Sequence, residues 1–168
     1  MKKIFLLMGA MVLALGASAQ KESKYIGGNL NFAGRVNSAG LGVKGLYQFE
    51  KEWRGEVGMN VFPSSGTSLW GVYGNVHYLV PVADKVNIYP LGGLEVMFWS
   101  YDAPKVTSTN PLPFVTESKT EMRVGLNLGV GGEYQLNRNW LLQAELKGQI
   151  VSGYSQGMLS LGVAYRFD

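Results

Sequence analysis

The sequence predicts an all-β protein, an eight-stranded antiparallel up-and-down transmembrane β-barrel behind a cleaved signal peptide. Three observations lead there. Apolar residues recur with period two over eight segments, and one phase of that alternation carries no charge. The segments run about 9 to 14 residues, near the 9 to 11 that a tilted transmembrane strand needs and above the 5 to 6 average of globular strands. Aromatic residues collect at the ends of these segments rather than along them.

The first element is the export signal. Lys2 and Lys3 form a positive start, Ile4 to Leu15 an uncharged apolar run, and Ala17-Ser18-Ala19 a small-residue cleavage site, which places the cut before Gln20. The run is short for a membrane helix, which needs about 20 apolar residues. Residues 1–19 are therefore expected to be a signal peptide and residues 20–168 one barrel domain. Without Lys2 and Lys3 the fifteen basic residues become thirteen against twelve acidic ones, so the full chain's +3 falls to +1 and no nucleic-acid partner is indicated. The chain has no cysteine, which excludes disulfides, thiolate metal sites and a lipid-anchored lipoprotein.

The strands follow in order. On the uncharged phase they read Ile26 to Phe32, Leu41 to Phe49, Trp53 to Val61, Trp70 to Val80, Val86 to Phe98, Met122 to Tyr134, Leu142 to Ile150 and Leu159 to Phe167. The opposite phase holds five bases and five acids, Lys44, Arg54, Glu56, Glu95, Glu121, Arg123, Glu133, Glu145, Lys147 and Arg166, among amides and glycines. Connections alternate between short turns (Glu50–Glu52, Pro81–Asp84, Leu136–Asn139) and longer loops (Ala33–Ala39, Pro63–Thr67, Tyr101–Ser118, Ser152–Ser155), as outer-membrane barrels do. Tyr47, Phe49, Trp53, Tyr78, Tyr134, Trp140, Tyr165 and Phe167 lie at the turn ends. Phe32, Phe62, Trp70, Phe98, Trp99, Tyr101 and Tyr154 lie at the loop ends. Two such belts suit two membrane surfaces. The uncharged phase then faces lipid, and Val124→Arg is expected to cost about 2 to 4 kcal/mol if that position lies near the midplane.

Closure is required, because an open edge in hydrocarbon strands its backbone donors and acceptors. An even strand number puts both termini on the periplasmic side. Pro90 removes a ladder hydrogen bond and is expected at a bulge or a locally weak pairing. The fold alternative is a soluble lipocalin-like barrel, which would need no detergent for extraction.

These features resemble the small outer-membrane β-barrel proteins, the OmpX type and the transmembrane part of OmpA. The resemblance covers the whole mature chain, and the closing Leu161-Val163-Tyr165-Phe167 alternation looks like the signal read by the barrel-assembly machinery. The family ends on its aromatic residue, whereas this chain adds Asp168. The resemblance implies a Gram-negative outer membrane, contacts with its lipids and lipopolysaccharide, and a porin-like architecture without general diffusion. It also leaves no room after Phe167 for a peptidoglycan-binding domain.

For function, the inward charges read as a hydrogen-bonded, charge-balanced filling, since about eight strands enclose only enough space for side chains. The alternative is a narrow ion or solute channel. His77, the only histidine, lies on the inward phase without a triad partner or a second histidine, so it reads as an interior hydrogen-bonding residue rather than a catalyst or metal ligand. A lipid A-modifying enzyme is the third reading. Gly129, Gly131 and Gly132 lie in a strand with no helix after them, which suits close packing and not a phosphate cradle. No cofactor is expected. The Tyr101–Ser118 loop, with Pro104, Pro111 and Pro113, reads as either a disordered connector or a surface contact site for an unidentified ligand. The expectation is a non-enzymatic barrel with an envelope-structural or surface-interaction role.

Overall fold

A computed structural model describes residues 23–34, 38–64, 67–105, 115–153 and 155–167; the expected signal peptide at 1–19 lies outside them. The strands are β1 (Ser23–Ala33), β2 (Ser38–Gln48), β3 (Trp53–Ser64), β4 (Thr67–Tyr78), β5 (Val80–Ala83), β6 (Val86–Lys105), β7 (Val115–Gln135), β8 (Trp140–Val151) and β9 (Gln156–Arg166). All pairings are antiparallel, β4 pairs with β6, and β1 pairs with β9 from Tyr25↔Arg166 to Ala33↔Met158, which closes the sheet. β5 continues β4 along β6 in one register, since His77↔Leu91 is followed by Val80↔Ile88. The two make a single stave, so the barrel has eight.

The interruption between them lies opposite Pro90. On the β7 side Pro90 keeps its partner Val130, but the ladder to β4 is missing at Tyr78 and Leu79. Proline has no N–H to donate, so Pro90 weakens the pairing without shifting it. The bulge lies elsewhere, between Pro81↔Asn87 and Ala83↔Val86, where Val82 is the extra residue. Pro81–Ala83 is accordingly strand, not the turn expected there; the chain reverses at Asp84–Lys85.

A larger correction concerns Tyr101–Ser118. β6 and β7 run to 20 and 21 residues, and their register is unbroken out to Lys105↔Val115. Half of the expected loop, residues 101–105 and 115–118, is thus paired strand, Pro104 and Thr116 included; Pro111 and Pro113 lie outside the described residues. Backbone pairing needs no apolar side chain, so it continues after the hydrophobic alternation has stopped.

The uncharged phase is the outer surface. Leu41, Leu94, Leu128, Val130 and Leu146 are each more than half exposed, which no isolated globular core would tolerate as a continuous band. Val124 lies just past the last β7–β8 partner pair, Gly125↔Val151, hence near the loop rim, and Val130 takes the mid-height position assumed for it. At the turn ends Phe49, Trp53, Tyr78, Tyr134, Trp140, Tyr165 and Phe167 all point outward, with edge-on Trp53–Tyr78 and Trp140–Tyr165 pairs whose ring centroids are each 5.1 Å apart. The loop-end belt is smaller than expected. Phe32 is outward and Trp70 stacks on Phe98 at 4.1 Å, but Phe62 is buried inside and Trp99 packs against the same interior cluster. Both share the parity of the inward phase, so height alone misassigned them.

Candidate functional site

The barrel interior concentrates the chemistry, and it is layered. At the loop end Ala33, Phe62, Leu69, Met97, Val151 and Met158 form an apolar plug with Trp99 against it. At the turn end Leu46, Leu141 and Ala164 pack with Tyr25, and Leu79, Tyr89 and Leu91 form a second group. Between the two lie the buried polar side chains. Of these apolar inward residues Phe62 and Trp99 were expected in the loop-end belt, and the others were given no interior role from the sequence, although strand parity alone places them inside.

The polar layer is held by buried ion pairs and hydrogen bonds. Lys44 Nζ bridges Glu56 Oε2 at 3.0 Å and Glu145 Oε1 at 3.1 Å, and Lys147 Nζ holds Glu145 Oε2 at 2.9 Å. Arg54 Nη1 binds Glu133 Oε2 at 2.6 Å, while its Nη2 lies 3.2 Å from His77 Nδ1. Asn75 donates to Glu56 and Asn87 to Glu133, each at 2.9 Å; Gln149 donates to Glu95. Seven of the ten charged residues read from the sequence, Lys44, Arg54, Glu56, Glu95, Glu133, Glu145 and Lys147, are buried here.

The other three are not brought into this layer. Glu121 and Arg123 pair with each other at 3.0 Å on the loop rim, both partly exposed, with the guanidinium 5.0 Å above the Trp99 ring. Arg166 is at the turn end, its N–H donating to Asn139 O at 2.7 Å and its carbonyl accepting from Asn139 Nδ2 at 3.2 Å. All three keep the inward parity, but they lie too near the strand ends to reach the centre. Of the terminal strand's alternation, Leu161, Val163, Tyr165 and Phe167 are all exposed on the outer surface.

Inward glycines make the network possible. In successive rows of register partners a glycine separates two large interior side chains: Asn29–Gly42–Asn60, Lys44–Gly58–Tyr73, Asn75–Gly93–Asn127 and Tyr89–Gly131–Glu145. The flanking groups then meet over the missing side chain, as in Tyr89 Oη→Glu145 Oε1 at 2.9 Å and Asn127 Nδ2→Asn75 Oδ1 at 3.2 Å. A Cβ on Gly58 would come within 2.5 Å of Tyr73 Oη, and one on Gly131 would meet the Tyr89 ring. Tyr73 and Tyr89, which the sequence pattern did not single out, are structural members of the site. Tyr89 stacks on His77 at 4.6 Å with Arg54 over its ring at 5.1 Å, and Lys147 lies 4.9 Å from the Tyr73 ring.

Glu56, His77 and Glu145 place possible ligand atoms within 4.8 Å of one another, but their chemistry does not suit a metal ion. Lys44 already bridges the two carboxylates. An arginine can only donate, so Arg54 holds His77 Nδ1 as the acceptor and leaves the ring proton on Nε2, which is 3.7 Å from Glu56 Oε1. Nor is His77, with no exposed surface, reachable by a lipid substrate. Outside the turn-end plug an open vestibule of about 730 Å³ is bounded by Gln48, Glu52, Asn87, Gln135, Arg138 and Arg166. Its inner wall includes Leu79, Leu141 and Glu133.

The model of the outer membrane protein beta-barrel domain matches residues 5–167. No curated protein sequence matches the chain. Among solved structures, the N-terminal β-barrel domain of Pseudomonas aeruginosa OprF superposes with TM-score 0.66 at 16% identity, covering 86% of this chain and 97% of that one. A major outer membrane protein from Thermus thermophilus gives TM-score 0.66 at 16% identity over 88% and 100% of the two chains. Ail, the attachment invasion locus protein of Yersinia pestis, gives 0.59 at 17% identity over 87% and 97%. At these identities the likeness is one of fold.

Proposed function

The chain belongs to the outer membrane protein beta-barrel domain family and is an integral protein of the outer membrane; from that premise we propose that it is a non-enzymatic, sealed barrel serving the envelope as a rigid scaffold that presents its loop-end surface for contact. The observation that carries this reading is the layered interior. Charges paired within a dry wall need no aqueous path, and apolar groups close the layer at both ends. About eight staves leave little more than side-chain volume inside. The vestibule ends at the Arg54–Glu133 pair and the turn-end plug.

The same reading takes residues 1–19 as the signal peptide, puts the turn ends and both termini in the periplasm, and places the paired β6–β7 extension outside the cell. Lipopolysaccharide and membrane lipids cover the apolar band, and Leu161, Val163, Tyr165 and Phe167 serve the assembly machinery. Planar-bilayer recording tests the seal: the purified protein should give no conductance steps above the bare bilayer. Reproducible ion-sized steps would favour the narrow channel. Lipid A from cells with and without the protein should have one acyl pattern, and a difference abolished by His77→Ala would favour the enzyme.

A further inference from the structure

The uncharged phase of β1 begins at Ile26, but the strand itself begins at Ser23. Ser23 and Tyr25 line the vestibule inside the barrel, so Lys24 between them points outward, on the phase of Ile26, which is 58% exposed. Among the described side chains, Lys24 is the only charged one on the outward phase of a strand. It lies in the turn-end aromatic belt. Tyr47 is its register partner on β2, and on the other side the Phe167 N–H donates to Lys24 O at 3.1 Å. Tyr165, opposite Ile26 on β9, is a diagonal neighbour within reach of a long side chain.

These surroundings state what the ammonium can meet. Among the described residues Lys24 has no ion-pair partner, and the groups flanking it are rings rather than carboxylates. A lysine at the edge of an apolar band lays its stem along the wall and keeps its head at the headgroup level. There a lipid phosphate supplies the missing anion, and a tyrosine hydroxyl can donate to the same phosphate. A zwitterionic headgroup brings its own ammonium to that place, whereas an anionic one does not. The loop-end belt has no counterpart, since Phe32, Trp70 and Phe98 have no base on their phase among the described side chains. We propose that Lys24, with Tyr47, Tyr165 and Phe167 around it, seats the headgroup of one anionic phospholipid in the leaflet that meets the turn ends. On the orientation proposed above that leaflet is the periplasmic one, so the choice of leaflet rests on that reading.

Photo-crosslinking tests the seat. Purified protein in phosphatidylcholine vesicles receives, at equal mole fraction, phosphatidylglycerol or phosphatidylcholine carrying the same photoactivatable group beside the glycerol, and adducts are mapped after irradiation and digestion. Labelling by the phosphatidylglycerol probe should exceed that by the other about fivefold on the peptides holding Lys24 and Tyr165, the preference expected of one basic side chain near anionic lipid. Loop-end peptides should show no such excess. Lys24→Gln should abolish the excess, Lys24→Arg should keep it, and Lys85→Gln, in a turn at the same end, should leave it unchanged; all are compared as folded barrels, selected by gel mobility. Equal labelling by the two probes, an excess that survives Lys24→Gln, or the same excess at the loop end would overturn the proposal. The chain has no cysteine, so orientation is read separately. Labelling of Arg138→Cys on intact cells by an impermeant thiol reagent would reverse the orientation and with it the leaflet, while the adduct ratio still decides the seat.

Discussion

Lys44 is the residue on which the interior charge balance turns. Its ammonium lies between two carboxylates, and all three groups are buried. Removing one member of a buried pair leaves an uncompensated charge and costs about 3 to 5 kcal/mol. Lys44→Met should therefore lower unfolding stability by about that amount, and Lys44→Met/Glu145→Gln should recover part of it. Urea titration in detergent, followed by the mobility shift of the folded barrel on gels, would measure both. Gly131→Val drives a side chain into the Tyr89 ring and should cost about 1 to 3 kcal/mol as an overpacking change. The inward parity of Lys44, Glu56 and Glu145 was legible in the sequence because charge alternated against an uncharged phase. The role of Gly42, Gly58, Gly93 and Gly131 was not, because a glycine's meaning here depends on which large residues flank it across two strands. That register has no signal along the chain.

At the scale of the strand, depth decides what a substitution costs. Val130 lies midway along the part of β7 that is paired on both sides, and Val124 at its rim. Arginine on a lipid-facing midplane position costs about 2 to 4 kcal/mol and near the interface about 0 to 1, so Val130→Arg should destabilise the barrel far more than Val124→Arg in the same titration. Pro90 offers the opposite change. Pro90→Val restores a donor opposite Tyr78 and should slow amide exchange at the β4–β6 seam, with a gain of about 0.5 to 1.5 kcal/mol. Strand positions inside the membrane could be read from period two because lipid demands an unbroken apolar face. The outer half of the β6–β7 hairpin could not, since in water both faces may be polar and alternation vanishes while pairing persists. Phe62 and Trp99 show the related error: height suggested a belt, but parity turned both side chains inward.

The whole molecule is a closed sheet whose outer surface suits lipid and whose centre is packed with paired polar groups between apolar plugs. Closure and outer-membrane residence follow from the β1–β9 pairing and the family match over residues 5–167. The proposed seal requires that no solvent reach its middle layer. Ser160 is 1% exposed there, and serine to cysteine nearly conserves volume. Arg138 is at the mouth of the turn-end vestibule. In the folded, membrane-inserted protein a small charged thiol reagent should label Arg138→Cys readily and leave Ser160→Cys unmodified until the barrel is denatured. Labelling of Ser160→Cys in the folded barrel at a rate like that of Arg138→Cys would mean that water and ions reach the centre, and would contradict a sealed barrel.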